Sequence, residues 1–259
     1  MRKQTTYPLA ASIVGALLVL GSMGAARAEL FISGYLGKAS TLDSDVELTR
    51  PGDTNLTFSD VSWEDDSFYN PLYYGYRLGY WFKNQPRWGV AIDFTHAKMY
   101  GELEKTVDVS GVRNGTPVSG QERLDDTFES LSFSHGHNLL TLNGMYRWMD
   151  LGTSPEEFLN RLQPYILAGL GLAIPHVEVT LDGDQTEAYQ TAGWAAQAGG
   201  GLDVDITRWF SLFAEYRLSY ADIEADLQGG GTLKTEPWTH HFTAGITFSF
   251  FHYQTKEEK

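Results

Sequence analysis

Cysteine is absent from the 259 residues, which excludes disulfides, a thiolate nucleophile, a thiolate-bound metal and an iron–sulfur cluster. Long apolar runs are missing as well. After the first 28 residues no stretch of about 18 uninterrupted apolar residues occurs, so the sequence predicts no transmembrane helix there. Positive charge is scarce: those first 28 residues hold three basic residues and no acid, leaving 16 Lys and Arg against 33 Asp and Glu. Such an acidic chain is a poor partner for nucleic acid, whose phosphates call for the opposite sign.

What is present begins with a leader pattern. Arg2 and Lys3 precede an apolar stretch from Leu9 to Leu20, and Ala26-Arg27-Ala28 offers the small residues a signal peptidase needs. The expectation is a signal peptide over 1–28 and one barrel domain over 29–259. From Leu30 onward, alternating segments of about ten residues are separated by turns, the length and period of a tilted membrane-crossing strand. In 72–82, Tyr74, Tyr76, Leu78, Tyr80 and Phe82 share one face, and Tyr73, Gly75, Arg77, Gly79 and Trp81 the other. The segments 30–39, 88–96, 135–148, 164–174, 191–204, 209–220 and 239–251 repeat the theme, giving eight. The predicted fold is all-β: a closed, up-and-down, eight-stranded antiparallel transmembrane β-barrel.

The joins alternate. Those at 83–87 and 205–208 are tight, and those at 40–70, 101–130 and 226–238 are long and, for the first two, strongly acidic. The 150–162 join has room for a helical turn. Tyr80, Trp81, Trp88, Tyr146, Trp148, Trp209 and Trp238 supply an aromatic girdle at strand ends. A water-soluble barrel would point this ring-bearing face inward and overfill eight strands. The opposite face carries the charges, so the ring-bearing face is assigned to lipid.

Two residue sets carry candidate chemistry. Arg77, Asp93, Arg147, Glu215 and Arg217 fall on the enclosed face and need mutual pairing, because an unpaired buried charge is costly. They read as a structural charge network filling the lumen. His96, His135, His137, His176 and Glu178 cluster near the external strand ends, and imidazole with carboxylate is a usual ligand set for zinc, copper or non-haem iron. Parity places His135 and His137 inward and His96 outward, with Pro175 offering a break beside His176. Their competing reading is a set of hydrogen-bonded rim histidines. Gly199-Gly200-Gly201 and Gly229-Gly230-Gly231 precede no Lys-Ser/Thr pair and are not phosphate loops. Asp182-Gly183-Asp184 is too short for a calcium loop.

In overall pattern the chain resembles the OmpA/opacity-type small outer-membrane barrels. More specifically, Phe94-Thr95-His96-Ala97-Lys98, the run Ser134 to Asn143, Gln163 to Val179, Arg208 to Arg217, and Glu224 to Leu227 with Gly229 to Leu233 are similar to the subgroup containing the lipid A oxidase of rhizobia. That resemblance implies an outer-membrane location and oxygen-dependent oxidation of the proximal glucosamine of lipid A to aminogluconate. It implies lipopolysaccharide and outer-membrane lipids as partners, with the barrel-assembly machinery acting during biogenesis. Such an oxidation calls for a redox cofactor. Without cysteine or a dinucleotide motif, the route left is a divalent or redox metal ion held by the rim histidines and carboxylate. The alternative is a non-enzymatic surface barrel with a structural or adhesive role.

Overall fold

The computed structural model describes residues 29–154 and 157–250. The expected signal peptide and the charged tail after Phe250 lie outside the described residues. Eight long strands form the frame: β1 (Glu29–Thr41), β2 (Tyr74–Phe82), β3 (Gln85–Ala97), β4 (His137–Arg147), β5 (Leu162–Ala173), β6 (Gly193–Thr207), β7 (Phe210–Ala221) and β8 (Trp238–Phe250). Each pairs antiparallel with its chain neighbours, and β8 closes on β1, so no barrel strand is left with a free edge. The 150–162 join contains a 3-10 turn at Phe158–Arg161.

The burial pattern is the reverse of a soluble protein's. Leu170, Leu142, Tyr76 and Phe242 are 66, 62, 59 and 57% exposed on the outside, while Arg77, Asp93, Glu215 and Arg217 are buried within. An apolar wall around an ionic interior suits a barrel bathed in lipid. No helix among the described residues is long and apolar enough to cross a membrane. Trp81 departs from the expected girdle. It is buried in the lumen, stacked on Phe31 at 5.7 Å and lying 4.3 Å from the Arg147 guanidinium carbon. Small residues on the inner face make room for such rings: a side chain at Gly75 would meet the Tyr35 ring at 2.1 Å.

The long joins are not irregular loops. They form two further sheets beyond one end of the barrel. One has five short strands in the order Asp184–Tyr189, His176–Leu181, Ser130–Ser132, Tyr100–Gly101, Trp63–Glu64. The other has six, in the order Ile223–Asp226, Thr232–Thr235, Ser44–Arg50, Thr54–Val61, Thr106–Arg113, Thr116–Arg123. Residues of both sheets and of the adjoining barrel-strand ends share one apolar core, including Val46, Leu48, Leu56, Phe58, Phe128, Phe133 and Leu233 with Leu139 and Ala173. This head corrects the expectation of acidic loops. Short alternating runs such as Val46-Glu47-Leu48 are two-sided strands whose apolar side points to a protein core rather than to lipid.

Candidate functional site

Within the barrel, Asp93 and Glu215 sit between Arg77 and Arg217. Arg77 Nε donates to Asp93 Oδ2 at 2.6 Å, and its two terminal nitrogens donate to Glu215 at 2.8 Å each. Arg217 Nη1 donates to Asp93 at 3.1 Å, while its Nε lies 3.0 Å from Glu215 Oε1, an ion-pair contact without hydrogen-bond alignment. Tyr35 also donates to Asp93, and Tyr165 donates to Glu215 at 2.7 Å. Arg147 is not part of this set. It lies toward the opposite end, donating to Glu29 at 2.6 Å, to Gln163 at 3.1 Å and to the Pro86 carbonyl at 2.9 Å. The register explains the split. Arg147 is the last residue of β4, whereas Asp93 pairs across β3 and β4 with Thr141. The void beside Glu29, Arg147 and Asp203 is about 30 Å³, room for roughly one water. The central set is charge-balanced, two guanidinium groups against two carboxylates.

The five rim candidates part company. His137 opens β4 and faces the lumen, fully enclosed, with neither ring nitrogen hydrogen-bonded. His96 faces outward, stacked on Tyr74 at 4.7 Å with its Nδ1 2.8 Å from Asn138 Oδ1. His135 is not inward beside His137, as strand parity had suggested. The chain turns between them: Gly136 has φ +130°, its N–H donates to the Phe133 carbonyl at 3.3 Å, and β4 starts only at His137. The φ of +130° is open to glycine and strained for other residues. The His135 side chain is thereby left 58% exposed on the outer face.

That turn brings His135 to His176 and Glu178. His176 N–H donates to the Gly136 carbonyl at 2.8 Å, locking the turn to the strand that follows Pro175. His135 Nδ1 lies 2.7 Å and His176 Nδ1 2.9 Å from the same oxygen, Glu178 Oε1, and Ser134 donates to it as well. One ligand atom from each of the three residues lies within 4.8 Å of the others. Neither His96 nor His137 joins them. Tyr189 closes one side, its ring 4.5 Å from that of His176 and its hydroxyl donating to the His135 carbonyl at 3.1 Å. It stands directly across from His176 in a hairpin whose two-residue turn is Asp182-Gly183, with φ of +51° and +80°. This is the positive-φ pair that a tight hairpin turn demands.

Partial burial pushes the Glu178 carboxyl up, but bonds from Ser134 and His135 and the fields of both imidazoles outweigh it and hold the group below its usual range. Glu178 is therefore an anion at neutral pH. Tyr100 takes the opposite shift: burial and the nearby Asp66 and Glu178 charges raise its phenol. His176 and Glu178 lie on the outer face, because the intervening Val177 and the following Val179 are buried in the head's core. Two imidazoles and a carboxylate, open to the outside, form a set that can hold a borderline metal ion or bind a sugar hydroxyl. Ser134 and Tyr189 escaped the sequence reading. Ser134 adjoins the His-Gly-His run, but the part played by Tyr189 follows only from the hairpin register.

No protein-family model matches the chain, and no curated protein matches it. Solved barrels do resemble it in fold. The outer membrane protein OprG from Pseudomonas aeruginosa is 14% identical, with 88% of this chain and 97% of that one aligned and a TM-score of 0.44. Neisserial surface protein A is also 14% identical, with 88 and 99% aligned and a TM-score of 0.40. Ail, the attachment invasion locus protein of Yersinia pestis, shares 14% identity, with 86 and 99% aligned and a TM-score of 0.36.

Proposed function

We propose that this chain is an outer-membrane barrel that modifies lipid A from the outer side of its own wall, as an oxygen-dependent oxidase of the proximal glucosamine. One observation carries the reading: His135, His176 and Glu178 stand on the outward face directly above the lipid-facing Leu170 and Leu172. A glycolipid in the outer leaflet would present its sugar at that height. The chemistry requires a free anomeric hydroxyl. The anomeric carbon gives up two electrons and two protons to become the lactone, dioxygen takes them to become hydrogen peroxide, and water opens the lactone to aminogluconate.

The chain's own groups serve this reaction in three ways. Glu178 Oε2, with only a 3.5 Å contact from Ser132, is free to accept the anomeric proton. Tyr189 flanks the imidazoles and holds the His135 backbone, and the exposed edge of His135 meets the sugar. A redox-active metal bound by His135, His176 and Glu178 would supply the electron transfer that side chains alone perform poorly.

Lipid A mass spectrometry on deletion and complemented strains tests the reading. Fully oxygenated wild-type cells should contain lipid A one oxygen atom heavier than the deletion strain. Identical profiles would sink the oxidase. The folded acidic head favours a second reading, a non-enzymatic surface barrel with a structural or adhesive role, for which lipid A stays unchanged.

A further inference from the structure

We infer that His135, His176 and Glu178 form a three-ligand site for a divalent transition-metal ion, with the remaining coordination positions open to the outside. The inference goes beyond the lipid A reading and needs only the geometry at the rim.

The argument starts from an imbalance at one carboxylate. Glu178 Oε1 faces three groups at once, Ser134 Oγ and the two imidazole Nδ1 atoms, yet Oε2 has only the distant Ser132 contact. A carboxylate oxygen has two lone pairs, so three donors on one oxygen beside an idle twin is a poor hydrogen-bond arrangement. A cation shared by the two nitrogens and Oε1 resolves it, since each nitrogen then offers a lone pair instead of competing as a donor. The backbone supports this convergence from three sides. The Gly136 turn aims His135, the His176 N–H bond to Gly136 fixes the second imidazole, and Tyr189 braces both.

The donor set selects the ion. Two imidazoles and one carboxylate suit zinc, copper or ferrous iron, whereas calcium and magnesium prefer oxygen alone. Three protein ligands with an open side is also the pattern of reactive rather than purely structural metal centres. His96 and His137 are excluded by placement. His96 Nδ1 is engaged by Asn138, and His137 is enclosed in the lumen on the other side of the wall.

The test uses the full-length barrel without a histidine tag, folded in detergent micelles, with folding checked by heat-modifiable gel migration. Cobalt(II) titrated into the protein should give visible absorption bands at one equivalent, displaced by zinc(II) and unaffected by excess calcium. His135→Ala, His176→Ala and Glu178→Gln should each weaken cobalt binding by at least about tenfold, the scale on which disturbed metal sites lose affinity. His96→Ala and His137→Ala should bind as wild type. Cobalt binding equal in wild type and the folded His135→Ala/His176→Ala double variant would overturn the site, as would an equal loss in His96→Ala. Metal binding with unmodified lipid A retires the oxidase and keeps the site. Modified lipid A without metal binding does the reverse.

Discussion

The barrel wall and the head above it share one alternation of inward and outward residues, but the meaning of each side reverses between them. Along β3, Val90, Ile92 and Phe94 face lipid while Asp93 and Thr95 face the lumen. Two residues further, the inward positions become Ala97 and Met99, and the outward positions turn polar as Lys98 and Tyr100, with Lys98 covered and its ammonium donating to the Tyr69 carbonyl at 3.1 Å. The same switch separates Leu170 and Leu172 from His176 and Glu178, and Tyr216 and Leu218 from Glu224 and Asp226. Backbone parity is continuous through it along these three strands, while the outward side chains change from apolar to polar. The reversal marks where the apolar wall ends along these strands, and the His-Glu cluster lies just beyond it.

The largest effect that can break this comparison comes from the lumen. Glu215→Leu should cost about 3–5 kcal/mol in urea unfolding from vesicles, because it strands two buried arginines. A small loss would mean the interior is wetter than its packing indicates. Phe58→Ala, in the head, removes a fully buried ring and should cost about 3–5 kcal/mol locally. Proteolysis should open the head while the barrel keeps its heat-modifiable migration; loss of both together would make wall and head one cooperative unit.

A matched pair of outward arginines sharpens the contrast. Leu142→Arg should cost about 2–4 kcal/mol, as for a charge facing the bilayer centre. Thr49→Arg, also outward but in the head, should stay within about 0.5 kcal/mol. Equal penalties would show that the head too is surrounded by lipid. The smallest effect concerns Asp65, whose carboxyl is raised by burial despite two bonds from Thr41. A raised folded-state value in an acid means the ionised form is disfavoured on folding. The head should therefore lose a little stability as pH climbs through the carboxylate range, and Asp65→Asn should flatten that slope in thermal melts.

Strand number, strand order and the lipid-facing side were legible because period-two alternation survives in each segment, as in Tyr74 to Phe82 and Phe210 to Tyr220. The head was not legible. Its strands are short, and parity slips at the join from β1, whose inward Ala39 and Thr41 are odd-numbered, to the Ser44–Arg50 strand, whose buried Val46 and Leu48 are even-numbered, so Val46, Leu48 and Phe58 read as scattered residues in acidic loops. The rim site was half legible. Residue type singled out five ligands, but a single glycine turn at Gly136 undid the parity on which the placement of His135 rested.

By itself the sequence determined a closed wall with rings outside and charges inside, since alternation is written residue by residue and closure follows from the need to pair every backbone group in lipid. Only the tertiary structure decided which histidines meet. His135 comes from a turn and His176 and Glu178 from one strand, and their convergence depends on a positive-φ glycine and a hairpin register whose consequences appear only once the neighbouring strands are in place.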